Sequence, residues 1–192
     1  MSKVTLLIGL PGSGKTTYFN TYLSSKVDFI FEDWMGWDVW FRSVPPKNKF
    51  NEEPRYNALI NRLNNNEYVV LSSIRFCNHK FLCKAEYYLK SQFPNIEIER
   101  IYFENDPKKS SANVLYRDNL NGGYLEKDKN GNFMYFGHHY NGIRCYHISL
   151  ENIKIISPNY IIPNKYTPIP IQVQNETFFQ GPDALIKEYL AT

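Results

Sequence analysis

Val4-Thr5-Leu6-Leu7-Ile8-Gly9-Leu10-Pro11-Gly12-Ser13-Gly14-Lys15-Thr16-Thr17 carries a short apolar run into three glycines, a lysine and two threonines. A run of that kind is expected of a strand buried on both faces. Glycines then let the backbone curl so that successive N–H groups point into one concavity, where Cβ atoms would obstruct. A helix is expected from about Lys15 to Ser24. Gly9 to Thr16 matches G-x-x-x-x-G-K-[ST] at every fixed position, in the strand–loop–helix setting that the pattern requires. The expectation is a triphosphate lying on the loop, held by Gly9, Gly12, Ser13, Gly14, Lys15, Thr16 and Thr17. The helix start adds partial positive charge beneath it. Lys15 can bridge the β- and γ-phosphates, Thr16 can ligate Mg²⁺, and Thr17 is placed for a further phosphate contact.

Outward from the loop, strand and helix alternate, the signature of a parallel sheet with covering helices. Val27–Phe31, Glu67–Ser72 and Ile96–Phe103 are the next expected strands. Asn51 can cap a helix with Glu52, Glu53 and Pro54 in its first turn, ending in Asn64-Asn65-Asn66. Asn78 can cap the next, where Phe81, Leu82, Ala85, Tyr88 and Leu89 recur at helical spacing and Pro94 stops it. A further helix runs from about Pro107 to Asp118. The fold expected is α/β, a P-loop NTPase: a parallel sheet of about four to five strands flanked by helices, with a hairpin-rich insertion near the lid. The whole of 1–192 reads as a single P-loop domain. Residues 119–147 form the lid or hairpin insertion, punctuated by Gly122-Gly123, Asn130-Gly131 and Asn141-Gly142. Residues 148–192 complete the domain as helix, strand and helix.

The chain of 192 residues is large enough for one medium-sized domain. Apolar residues at 43% and charged residues at 21% are ordinary for a packed globule and argue against disorder. No run approaches the roughly 18–20 apolar residues a spanning helix needs. The N-terminus lacks a signal-peptide layout, so the cytoplasm is the expected compartment, with no membrane partner. A net charge of +3 is too small to argue for nucleic acid without a concentrated patch. The high aromatic content, with 15 Tyr and 13 Phe, fits the codon bias of an AT-rich genome. Cys77, Cys83 and Cys145 are too few and too odd for a disulfide scaffold and read as reduced thiols. The repeated Cys77-x-His79 and Cys145-x-His147 spacing raises a zinc site, but no Cys-x-x-Cys pair supports it, and incidental thiols and imidazoles are favoured.

A motor-type ATPase usually ends an apolar strand in acidic residues, whereas the third strand here ends in Ser72-Ser73. A small kinase fits better, because phosphoryl transfer needs chiefly positioning and charge neutralisation. The opening GLPGSGKTT, together with IYFENDPKKSSANVLYRD at 101–118, resembles the P-loop kinases grouped with polynucleotide kinases, zeta toxins and gluconate-type kinases. The resemblance covers roughly residues 3–118. It implies ATP and Mg²⁺ as cofactors and places Arg117 as the lid arginine, with Asn113 one turn before it. Two departures stand out. Relatives often show Asp followed by Thr-Asn where this chain has Ser73-Ile74-Arg75. They also commonly carry two or three lid arginines, whereas only Arg144 follows Asp118 up to residue 147.

In such kinases a carboxylate after the second strand takes the proton of the attacking hydroxyl. Asp33 is the first choice here, Glu32 the second and Asp38 the third, at the carboxyl end of a parallel strand where α/β ligands bind. Catalytic roles thus fall to Lys15, Asp33 and Arg117. Arg42 and Arg75 are candidates for a substrate phosphate. Trp34 and Trp37, with Trp40, can stack on a base or sugar if their loop is open, or form a core face if it folds as a helix. Aromatic and basic residues interleave in 121–147, which suits either single-stranded nucleic acid or a hairpin covering a sheet edge; the second is favoured. The expected activity is ATP-dependent phosphoryl transfer to a hydroxyl, with a nucleic-acid 5′-hydroxyl or a nucleoside ahead of a sugar. The alternatives are a nucleotide-binding module without transferase chemistry and a nucleic-acid-stimulated ATPase.

Overall fold

The structure, a computed structural model, describes residues 2–32, 53–107, 109–111, 113–114, 129, 142–143, 145–147 and 149–150. Four strands form its sheet: β1 Lys3–Ile8, β2 Phe29–Phe31, β3 Tyr68–Ser72 and β4 Glu97–Tyr102. All pair in parallel, in the order β2-β3-β1-β4. β1 is central, with Lys3 level with Tyr68 on one side and Glu97 on the other. Its side chains alternate between two cores, as the pleat requires. Val4, Leu6 and Ile8 join Leu59, Leu63, Leu82, Ala85 and Leu89 on one face. Leu7 joins Tyr18, Leu23, Val70, Ile101 and Phe103 on the other.

Helices α1 Lys15–Tyr18, α2 Glu53–Asn64 and α3 His79–Gln92 cover these faces. The expected Lys15–Ser24 helix is α-helical only over α1 and continues as a π-helical turn over Phe19–Leu23. The Thr21 and Ser24 hydroxyls back-bond to the carbonyls of Thr17 and Asn20, competing with the amides of an α-helix. β2 starts two residues later than expected, because Val27 N–H still bonds to the Leu23 carbonyl and closes the preceding turn. α2 ends as its asparagines suggest: Asn66 adopts φ 60°, and Asn66 and Glu67 N–H return to the Leu63 and Arg62 carbonyls. Asn78 caps α3 by accepting from Lys80 and Phe81 N–H.

The four-stranded parallel α/β sheet with flanking helices is therefore present as expected. The C-terminal end of the expected hairpin insertion differs. Residues 142, 143, 145–147, 149 and 150 are helical, and Ile143 and Leu150 enter the main core with Tyr146 packed against it. Their spacing of three, four and seven makes a helix face. The glycine of Asn141-Gly142, read as a turn signal, instead serves close packing: a Cβ on Gly142 would lie 2.8 Å from Ile74 Cδ1. Apart from Lys129, the rest of 119–141 lies outside the described residues, as do the Asn51 cap and the elements expected after residue 150. Among the described residues, no helix is long and apolar enough to cross a membrane.

Candidate functional site

The loop leaves the carboxyl end of the central strand, the edge at which parallel α/β sheets bind ligands. Two of its glycines adopt positive φ, 77° at Gly12 and 93° at Gly14, conformations that a Cβ disfavours. Gly14 stands at the start of α1 with no side-chain cap, leaving the helix's first N–H groups to backbone or ligand. The loop is tightly enclosed. A Cβ on Gly12 would lie 2.3 Å from the Ser110 carbonyl oxygen and 2.9 Å from Val114 Cγ2. On Gly9 it would meet Ser13 Oγ at 2.6 Å and Phe103 Cβ at 2.7 Å.

Lys15 folds back over this loop, its ammonium donating to the carbonyls of Gly9 at 2.8 Å and Leu10 at 2.9 Å. Thr16 is exposed, and its hydroxyl donates to Glu32 Oε1 at 2.9 Å. Thr17 is buried beneath the loop and its carbonyl accepts from the Thr21 hydroxyl. Asn113 Nδ2 donates to the Gly12 carbonyl at 2.8 Å. Two buried polar atoms at the loop, Ser13 Oγ and Asn113 Oδ1, have no hydrogen-bond partner among the described residues. Beneath it sits Cys77, whose thiol burial pushes up to about 12, against the opposing pull of the Lys15 charge and a hydrogen bond from the Gly9 backbone. Cys77 is thus a neutral core thiol.

The β3 end carries no carboxylate. Ser72 and Ser73 are both buried, and Ser73 caps a 3₁₀ turn over Ile74–Cys77, accepting from Arg75 N–H. The carboxylate beside Thr16 comes instead from Glu32, one residue beyond β2, and the Arg55 guanidinium holds the Glu32 carbonyl at 2.5 Å. Arg55 escaped the sequence reading. Its signal was topological: α2 returns from the carboxyl edge of the sheet, so its first turn must start near the loop. Arg75, considered for a substrate phosphate, has its guanidinium 5.9 Å from the centre of the Phe81 ring, a packing contact with α3. Asp33, Trp34, Trp37, Asp38, Arg42 and Arg117 lie outside the described residues.

The sequence's Cys77-x-His79 spacing does not pair those side chains, since Cys77 is buried. His79 lies instead beside Cys83, with Nε2 3.4 Å from its sulfur, on the exposed side of α3. All three thiols are free. Among the described residues, no group of three or more His, Cys, Asp and Glu side chains gathers to hold a metal. Chemically, the loop combines curled backbone, a helix start and an ammonium, which favours a compact anion. The Thr16 and Glu32 oxygens beside it are hard donors of the kind Mg²⁺ takes.

No protein-family model matches the chain, and no curated protein matches it. Among solved structures it is similar to one described as the crystal structure of APE1195, at 18% identity over 80% of this chain and 97% of that one, with a TM-score of 0.38. A likeness of that extent says nothing about chemistry.

Proposed function

We propose that this chain has the P-loop NTPase fold and is a small cytoplasmic ATP-dependent kinase, transferring the γ-phosphoryl group to a hydroxyl acceptor. The observation that carries this reading is the Lys15 ammonium, held on the Gly9 and Leu10 carbonyls at the mouth of a loop with left-handed glycines. An ammonium there meets the β- and γ-phosphates of a nucleotide whose phosphates lie on the backbone N–H groups of residues 9–17.

Thr16 and Glu32 fit a magnesium ion in donor chemistry, Thr16 as direct ligand and Glu32 beside it. Bound there, the ion would neutralise charge on the phosphate oxygens. This chain's own groups do the rest. Lys15 and the helix start stabilise the charge of the transferring group. Asp33, next to Glu32, takes the proton of the attacking hydroxyl while the bond from the γ-phosphorus to ADP breaks. Arg117 closes over the phosphates. The acceptor favoured is a nucleic-acid 5′-hydroxyl or a nucleoside.

The test is single-turnover transfer from γ-labelled ATP onto a panel of oligonucleotides, nucleosides and sugars. Label on an acceptor, lost in Asp33→Ala with ATP binding retained, is the expected result. Tight ATP binding with no labelled acceptor identifies a nucleotide-binding module instead. ATP turnover that rises with added single strands, without labelled polymer, identifies a nucleic-acid-stimulated ATPase.

A further inference from the structure

We propose that Arg55 is a positioning residue of this site, holding the Glu32 carbonyl so that the Glu32 carboxylate stays against the Thr16 hydroxyl; this rests on the kinase reading above. Three elements meet through two hydrogen bonds. Arg55, in the first turn of α2, donates from Nη2 to the Glu32 carbonyl at 2.5 Å, just beyond β2. Glu32 in turn accepts from Thr16 at the start of α1, at 2.9 Å.

The need for such a tie follows from where Glu32 stands. Among the described residues, β2 has three residues, lies at the edge of the sheet and pairs with β3 from Phe29 to Phe31. Among the described residues its ladder therefore gives no hold on the Glu32 carbonyl, beside which the carboxylate must be aimed. A charge-assisted bond from a guanidinium supplies that hold. The neighbouring strand offers no substitute, because β3 ends in Ser72 and the Ser73 hydroxyl is already engaged as a cap. The side chain of Glu32 is thus the carboxylate available to the metal side of Thr16 among the described residues, and its aim depends on Arg55.

Nucleotide binding is measured calorimetrically against magnesium concentration for wild type, Arg55→Ala, Arg55→Lys, Glu32→Gln and the Arg55→Ala/Glu32→Gln double variant. Arg55→Ala should need several-fold more magnesium for half-maximal tightening of ATP, with affinity for metal-free ATP and the unfolding midpoint close to wild type. Glu32→Gln should do the same, and the double variant no more than either, since residues acting through one another are non-additive. Arg55→Lys, which keeps a donor for the carbonyl, should recover part of the loss. An unchanged magnesium requirement in Arg55→Ala, or its full effect added on top of Glu32→Gln, overturns the inference while leaving the kinase reading intact. Wild-type protein whose ATP affinity ignores magnesium overturns the kinase reading and this one with it.

Discussion

Asn113 donates from its side-chain amide to the carbonyl of Gly12 at 2.8 Å, joining a helical residue to a loop 101 positions earlier. The bond falls where the loop takes its left-handed turn, φ 77° at Gly12, and where Ser110 and Val114 press against the same glycine. The loop is therefore held from outside as well as by its own glycines. Ser110, Asn113 and Val114, all helical, act as its wall. Replacing Asn113 by Ala should cost about 1–2 kcal/mol, since the Gly12 carbonyl loses its partner. Asn113→Asp, which presents an acceptor to an acceptor, should be at least as destabilising. Urea unfolding of both variants checks this, and wild-type midpoints would show that the bond is not formed in solution.

Gly12→Ala meets two obstacles at once. Its Cβ would lie 2.3 Å from a backbone oxygen, which cannot rotate away, and its φ is one that alanine disfavours. The expected destabilisation is about 2–4 kcal/mol. Thermal unfolding should register it, and ATP affinity should fall with it.

Lys15→Ala separates binding from folding. The ammonium makes its contacts with two loop carbonyls that water can otherwise serve, so stability should change by about 1 kcal/mol or less. Affinity for ATP with magnesium should fall about tenfold or more, because a charge-assisted phosphate contact is lost. Equal affinity in wild type and variant would falsify the assignment of the loop.

The thiols give a chemical readout of the core under the loop. Cys83 and Cys145 are exposed and should react with a thiol reagent at pH 8, whereas Cys77 should react only after unfolding. The sign of the pH dependence follows from the raised folded value. The unfolded thiol ionises near its ordinary 9.0, while the folded one holds its proton to about 12. Its contribution is thus complete below pH ~9 and is lost as the pH rises toward 12. Denaturation midpoints between pH 7 and 10 should fall less steeply above pH 9 in Cys77→Ala than in wild type.

The elements that the sequence announced are those governed by local rules. The apolar run of β1, the Asn78 cap, the asparagine-rich end of α2 and the curled glycine loop all depend on neighbours within a few residues. The helical residues from 142 to 150 were misread over their first part because Asn141-Gly142 is a turn signal in isolation. Only the contact with Ile74, far off in the chain, explains the glycine.

The sequence by itself determined that a curled glycine loop with Lys15 and Thr16 must follow a buried strand, since backbone freedom and hydrophobic pattern are properties of the chain. It also named Glu32 among the candidate acids. The tertiary structure alone decided that Glu32 stands against Thr16, that Arg55 holds it and that Asn113 braces Gly12. Each of these joins residues on separate elements. Their proximity is set by strand order and helix packing, which bury apolar faces throughout the sheet and bring polar groups together as a consequence.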